Sequence, residues 1–189
     1  MGRTSTTRRV VRNAAAAAFV WAAAGIGAAD AQTAAPSPAT LTAVDFNFVG
    51  QANLGAPFQV DSGRIGKGAS AAIRSYAHLM VVTHIPVVDA LNSILRAKHL
   101  TPSNMLLRGA YDAMLACLEA DQGLAFDRDY VNGQIEYQKA NAALFRQEIE
   151  CGSDPDLKEF AHQTLPKIED HLQRALQLAG HPAGGTASK

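Results

Sequence analysis

The sequence is short of the motifs that usually announce a reaction. It holds no Cys-x-x-Cys-His haem site, nucleophile elbow, phosphate-binding loop or metalloprotease motif, which removes the chemistries those patterns serve. Net charge is missing as well, 17 basic residues balancing 17 acidic ones, and no basic patch marks a nucleic-acid partner. Strand-period alternation finds no support. Cysteine is scarce, with only Cys117 and Cys151, so a disulfide framework is excluded and a single bridge is the most the chain can form.

What is present begins with a segment that reads as an export signal rather than as structure. Arg3, Arg8, Arg9 and Arg12 make a basic start, Ala14 to Ala29 is an almost uncharged alanine-rich run, and Ala29-Asp30-Ala31 offers small residues for cleavage. The expected mature chain starts at Gln32. Arg8-Arg9 invites a twin-arginine reading, but Val10-Val11-Arg12 follows where that pathway prefers bulkier apolar residues, which favours ordinary unfolded export. The apolar run is too short to persist as a membrane span, and no cysteine follows the cleavage site to take a lipid. The expectation is a periplasmic or outer-envelope-associated protein without a transmembrane segment in its mature chain. Taking four arginines and Asp30 from the 17 against 17 balance leaves a net charge of −3, and the only tryptophan, Trp21, leaves too. The remainder suits one domain.

Residues 32–41, with Pro36, Ser37 and Pro38, lack apolar periodicity and read as a flexible lead; residues 180–189 read as a disordered tail, leaving 42–179 as the domain. Thr42 and Asp45 resemble a capping box, followed at helical spacing by Val49, Ala52, Ala56, Val60 and Gly63. This first helix carries several glycines, and Pro57 should bend it. Its small stripe residues would let a neighbour approach closely. A second helix, capped by Ser70, steps through Ile73, Ala77, Met80, His84, Val87, Leu91 and Leu95. Pro86 denies the carbonyl of Val82 a partner, so a kink or local opening is expected beside His84. A long connection carries a short helix around Met105 to Leu118. The third long helix opens at Phe126 with a stripe of Phe126, Tyr130, Gly133, Tyr137, Ala140 and Leu144. The fourth starts at Ser153-Asp154-Pro155-Asp156, a cap, an early proline and an acidic first turn, and its stripe is Leu157, Ala161, Thr164, Ile168, His171 and Ala175, with a kink expected at Pro166. Four long amphipathic helices with one extended connection predict an all-α, ferritin-like four-helix bundle with a long crossover between helices 2 and 3.

Four short segments also carry a resemblance: Met80-Val81-Val82-Thr83-His84, Phe126-Asp127-Arg128-Asp129-Tyr130, Asp154 through Ala161, and Leu165 through Leu172. In that order they resemble a bacterial exported family catalogued as domain of unknown function 4142, whose members are often labelled outer membrane proteins. The resemblance runs from about Phe46 to Leu178. It implies a ferritin-like fold, export, and no assigned activity. Three positions depart from the family pattern: Tyr137 stands where histidine is usual, Gln59 where glutamate is, and Pro86 is unusual.

His84 and His171 are the candidate site residues, because each places a titratable ring inside an apolar stripe. At about 1.5 Å of rise per residue, Gln59 and His171 fall about 10 to 12 Å from one shared end of the bundle, Tyr137 about 17 Å and His84 about 21 Å, so all four belong to one half of the core. A ferritin-like di-iron centre needs Glu-x-x-His on two helices, yet Val81 and Ile168 stand where those glutamates would be. The single Glu-x-x-His, Glu159 with His162, falls off the core stripe and reads as solvated. Two imidazoles alone suit loosely held copper or zinc. The simpler reading is a pair of core histidines hydrogen-bonded to Tyr137, Gln59 or a carbonyl freed by a proline. Asp127, Asp129, Glu148 and Glu150 read as helix-end and solvated charges. Cys117 and Cys151 sit at opposite ends of the third long helix, about 35 Å by helix rise, so two unbridged thiols are expected. Two function classes follow. One is a non-enzymatic envelope protein without a cofactor, binding an envelope protein or a small ligand or resisting stress. The alternative is a periplasmic metal-binding or redox bundle holding a transition metal at His84 and His171.

Overall fold

The computed structural model describes residues 41–66, 70–102 and 104–180. The expected signal, all of the expected lead except Leu41, and residues 181–189 of the expected tail lie outside them. Five helices and no strand occur among the described residues: α1 Ala43–Ile65, α2 Ala71–Ala97, α3 Met105–Ala120, α4 Gly123–Cys151 and α5 Pro155–Gly180.

Local chemistry sets the helix starts. Thr42 and Asp45 form the expected capping box on α1. The hydroxyl of Ser70 accepts from the Ile73 N–H at 3.2 Å, and Asn104 caps α3 through the Leu107 N–H at 3.0 Å. Asp154 Oδ1 accepts from the N–H groups of Asp156 and Leu157, each at 3.1 Å, while Pro155 fills the first position, where a missing N–H costs nothing. Each such cap contributes about 1 kcal/mol. α1, α2 and α5 continue unbroken through Pro57, Pro86 and Pro166. The opening expected beside His84 is therefore not found. Pro86 and Pro166 lie on exposed faces and Pro57 is only half-buried, so water can solvate the carbonyls they free.

Packing is dominated by α1 against α2 and α4 against α5; α2 also meets α5, α1 meets α4, and α3 lies mainly on α1. Two apolar clusters fix the chain directions. One joins Phe48, Val49 and Ala52 at the start of α1 to Leu91 and Leu95 late in α2, Ala142 and Phe145 late in α4, and Leu157 and Phe160 early in α5. The other joins Ile73, Tyr76, Ala77 and Met80 at the start of α2 to Phe126, Tyr130, Val131 and Ile135 early in α4 and Ala175 late in α5. α2 and α4 thus run in the same direction, opposed by α1 and α5. Full burial of side chains such as Phe48 and Leu157 contributes about 1.5–3 kcal/mol each. The small residues of α1 do allow close approach, since a Cβ added at Gly63 would stand 2.6 Å from the Ala77 carbonyl oxygen. By length and composition α2 is the one described helix apolar enough to cross a membrane; here its stripe is packed in the core.

The expected stripes of α1, α2 and α5 are buried position for position. That of α4 is not. Ala140 is exposed and Gly133 and Leu144 are half-buried, whereas Val131, Gln134, Ile135, Gln138, Ala142, Phe145 and Glu148 are buried. α4 is covered by α5 on one side and α1 on another, which widens its buried face, and four of its buried positions, Asp127, Gln134, Gln138 and Glu148, are polar and escape a hydrophobic-period reading. It also begins at Gly123, earlier than expected.

Candidate functional site

His84 on α2 and His171 on α5 are brought into contact. Their ring centroids lie 5.1 Å apart at an interplanar angle of 39°, and the residues are 4% and 3% exposed. The stripe spacing places both on inward faces, and α2 and α5 run antiparallel so that the two positions coincide along the axis. Thr83, one residue before His84, supplies the clamp. Its hydroxyl donates to the Leu79 carbonyl at 2.7 Å, which leaves it only acceptor capacity toward the rings. His171 Nε2 therefore carries the proton it donates to Thr83 Oγ1 at 3.3 Å, and His84 Nδ1–H donates to the Met80 carbonyl at 3.0 Å. This donor count leaves His84 Nε2 and His171 Nδ1 as the lone-pair nitrogens. His171 Nδ1 is buried without a partner. The hydroxyl of Tyr76 fixes the neighbouring backbone by donating to the His171 carbonyl at 3.1 Å.

Burial pushes the pKa of each ring down to about 4, and the facing His171 adds to the effect on His84. Both rings are neutral at neutral pH. The expected partners are corrected: neither Tyr137 nor Gln59 bonds to a histidine, and the carbonyl that His84 uses is that of Met80, not the one freed by Pro86. Tyr137 turns toward Phe58 and Tyr111, with ring centroids at 5.5 and 6.2 Å, and its hydroxyl lies over Gly55. It shares with His84 only the wall of a cavity of about 10 Å³, room for a single water at most. Gln59 is fully buried, and neither of its amide atoms has a partner. Glu159 and His162 are exposed, as expected, and Cys117 and Cys151 are both free thiols at exposed positions. No group of three or more His, Cys, Asp or Glu able to hold a metal ion occurs among the described residues.

The sequence model of the family described as Domain of unknown function (DUF4142) matches residues 30–178. The chain belongs to that family. No curated protein and no solved structure matches it.

Two carboxylates of this DUF4142 chain that a sequence reading takes for solvated charges are buried instead. Asp127, in the second turn of α4, accepts from the Ser70 N–H at 3.1 Å and so ties α4 to the start of α2. Glu148 is fully buried late in α4, and burial together with Asp45 and Asp154 raises its pKa to about 7. Asp45, expected only as half of a local capping box, is fully buried and also receives hydrogen bonds from Ser153 and Asp154, more than a hundred residues away. Burial pushes its carboxyl up, and hydrogen bonds from Thr42, Ser153 and Asp154 outweigh that and hold it well below the usual carboxylate range. Asp129 and Glu150 do lie toward solvent, Asp129 paired with Arg128 at 2.7 Å.

Proposed function

We propose that the protein is an exported envelope protein, a ferritin-like four-helix bundle formed by α1, α2, α4 and α5 with α3 in the crossover, that acts by binding a partner rather than by catalysis. The bundle reading is supported by the alternating directions of the packed pairs and by the length of chain between α2 and α4. Export is supported by the basic, alanine-rich start ending in Ala29-Asp30-Ala31.

The observation that carries partner binding is α3. It has no buried residue, yet Leu107, Tyr111, Leu115 and Leu118 are half-buried and lean on the domain, while Leu106 is 89% and Met105 72% exposed, with Met114 and nearby Leu124 also open. Several large apolar side chains left in water on one short segment support a contact surface, since it is apolar patches rather than single exposed side chains that mark one. The chemistry-bearing histidines, by contrast, face only each other and a cavity too small for a substrate. A photocrosslinking amino acid at Leu106, in cells that make the full chain, should give a discrete envelope adduct that the same probe at Arg96 does not. Absence of any adduct at positions 106 and 114 would overturn the reading.

A second reading has its own observation. His84 and His171 present two neutral rings side by side, each with one lone-pair nitrogen, a donor pair suited to copper or zinc. Elemental analysis of protein prepared from the envelope tests it, and one equivalent of transition metal per chain would establish it.

A further inference from the structure

Asp45 and Glu148 lie together where α1 begins and α4 ends, and neither side chain is exposed at all. Their surroundings are opposite in kind. Asp45 is rich in donors: the N–H and hydroxyl of Thr42 at 2.5 and 2.6 Å, the N–H and hydroxyl of Ser153 at 2.9 and 2.7 Å, and the Asp154 N–H at 3.1 Å. These bonds fasten the α4–α5 connection to the start of α1. Glu148 has no donor at either oxygen. It is pressed over Gly152, where an added Cβ would come within 2.6 Å of its carboxyl carbon, and the next residue, Ser153, holds the Asp45 carboxylate through its N–H and hydroxyl.

Two buried carboxylates facing each other with no donor between them repel strongly, and the inexpensive remedy is a proton. A cation fits poorly. Asp45 already has its donors, Asp154 Oδ1 caps α5, and Asp154 Oδ2 is held 2.7 Å from Lys98 Nζ, so a metal would find Glu148 as its single free ligand. We propose that Glu148 carries a proton that it donates to Asp45, latching the α4–α5 connection onto α1, and that loss of this proton in mildly alkaline solution releases the latch.

The charged groups around Glu148 come from every neighbouring element. Asp45 from α1 and Asp154 from the connection favour the protonated form, Lys158 from α5 opposes it, and Lys98, just past the end of α2, is occupied by Asp154 and Asp156 at 2.7 Å each. The folded pKa near 7 stands above the value of 4.5 for an unperturbed glutamate. The folded state therefore binds more protons than the unfolded one between those values. The stabilising contribution is complete below about pH 4.5 and is lost as pH rises through about 7. Phe48 and Phe145, one turn inward on the same two helices, meet edge-on at 4.9 Å, so release of the latch loosens the apolar end of the domain.

Urea unfolding of the full chain and of Glu148→Gln, at about pH 5.5 and about pH 8.5, tests this. Glutamine keeps the shape and supplies a permanent donor. Relative to the variant, the wild type should lose a factor of roughly ten to a hundred in its folded-to-unfolded ratio between the two conditions. The amides of Ser153 and Asp154 should lose exchange protection in the wild type alone. Identical pH dependence in both proteins would overturn the proposal. Should the variant not fold, the carboxyl-carbon resonance of Glu148 in the wild type decides: a midpoint near neutrality supports the latch, and one near the ordinary glutamate value refutes it.

Discussion

His84 and His171 stand ring against ring, and the hydroxyl of Thr83 lies within 3.4 Å of a nitrogen on each. A proton on either ring would be placed in a dry contact beside a second basic ring and would cost one of the two lone pairs its neutrality. The pair is therefore stable as two neutral imidazoles, and acid is its natural adversary.

Acid sensitivity follows with a defined sign. Both folded pKa values lie near 4, below the unperturbed 6.5, so the unfolded chain binds more protons between those values. The contribution of the pair is present above about pH 6.5 and declines as pH falls toward 4. Each ring should account for on the order of 2 kcal/mol of that decline. His84→Leu matches the volume, lacks the proton site, and should flatten the decline by about half in thermal melts at neutral and mildly acidic pH. Chelator added to the same melts separates the readings, since destabilisation of the wild type but not of the variant would assign the pair to a metal.

Asp45→Ala should be among the most damaging single changes in the chain. It strips acceptors from the N–H groups of Thr42, Ser153 and Asp154 at once. Leaving buried donors unsatisfied costs about 1–3 kcal/mol apiece, partly recovered where water enters, so a loss of about 3 kcal/mol is expected in urea titrations. A loss below about 1 kcal/mol would show that the capping box, and not the long-range clamp, is what the carboxylate contributes.

Legibility in the sequence follows the kind of contact involved. The stripes of α2 and α5, His84 and His171 included, can be read because one helical face meets the core and nearly every residue on it is apolar. The face of α4 cannot, because Gln134, Gln138 and Glu148 are buried among apolar neighbours and a hydrophobic period passes over them. Asp127 and Glu148 escape a sequence reading for a related reason. A carboxylate near a helix end looks solvated until the chain it meets is known, and Asp127 meets Ser70 across 57 residues while Asp45 meets Ser153 across 108. The histidine pairing is foreseeable only as membership of the same half of the core; its hydrogen bonding is not, because Thr83 lies beside the stripe, not on it.

The cysteines give a simple chemical check. Cys117 and Cys151 are both free and exposed, so the native protein should consume two equivalents of a thiol reagent without denaturation or reduction. Fewer than two under those conditions, restored to two by a reductant, would mean a bridge between copies of the chain.

Two glycines in otherwise similar helical settings should answer alanine substitution with opposite signs. Gly133 lies within α4 and a Cβ there would meet nothing within 4 Å, so Gly133→Ala gains helix propensity without a clash and should stabilise by about 0.5–1 kcal/mol. Gly63 lies within α1 where it crosses α2. A Cβ there would stand 2.6 Å from the Ala77 carbonyl oxygen and 2.9 Å from Val81 Cγ2. The first of these is backbone, which cannot rotate aside, so relief requires α1 and α2 to separate along their principal contact. The same propensity gain is available at Gly63, yet overpacking of this kind costs about 1–3 kcal/mol, enough to leave Gly63→Ala destabilised overall. Thermal melts of the two variants beside the wild type measure the difference directly. A Gly63→Ala protein as stable as Gly133→Ala would mean that α1 and α2 are not packed backbone to backbone at Ala77, and with that the close approach allowed by the small residues of α1 would have to be abandoned.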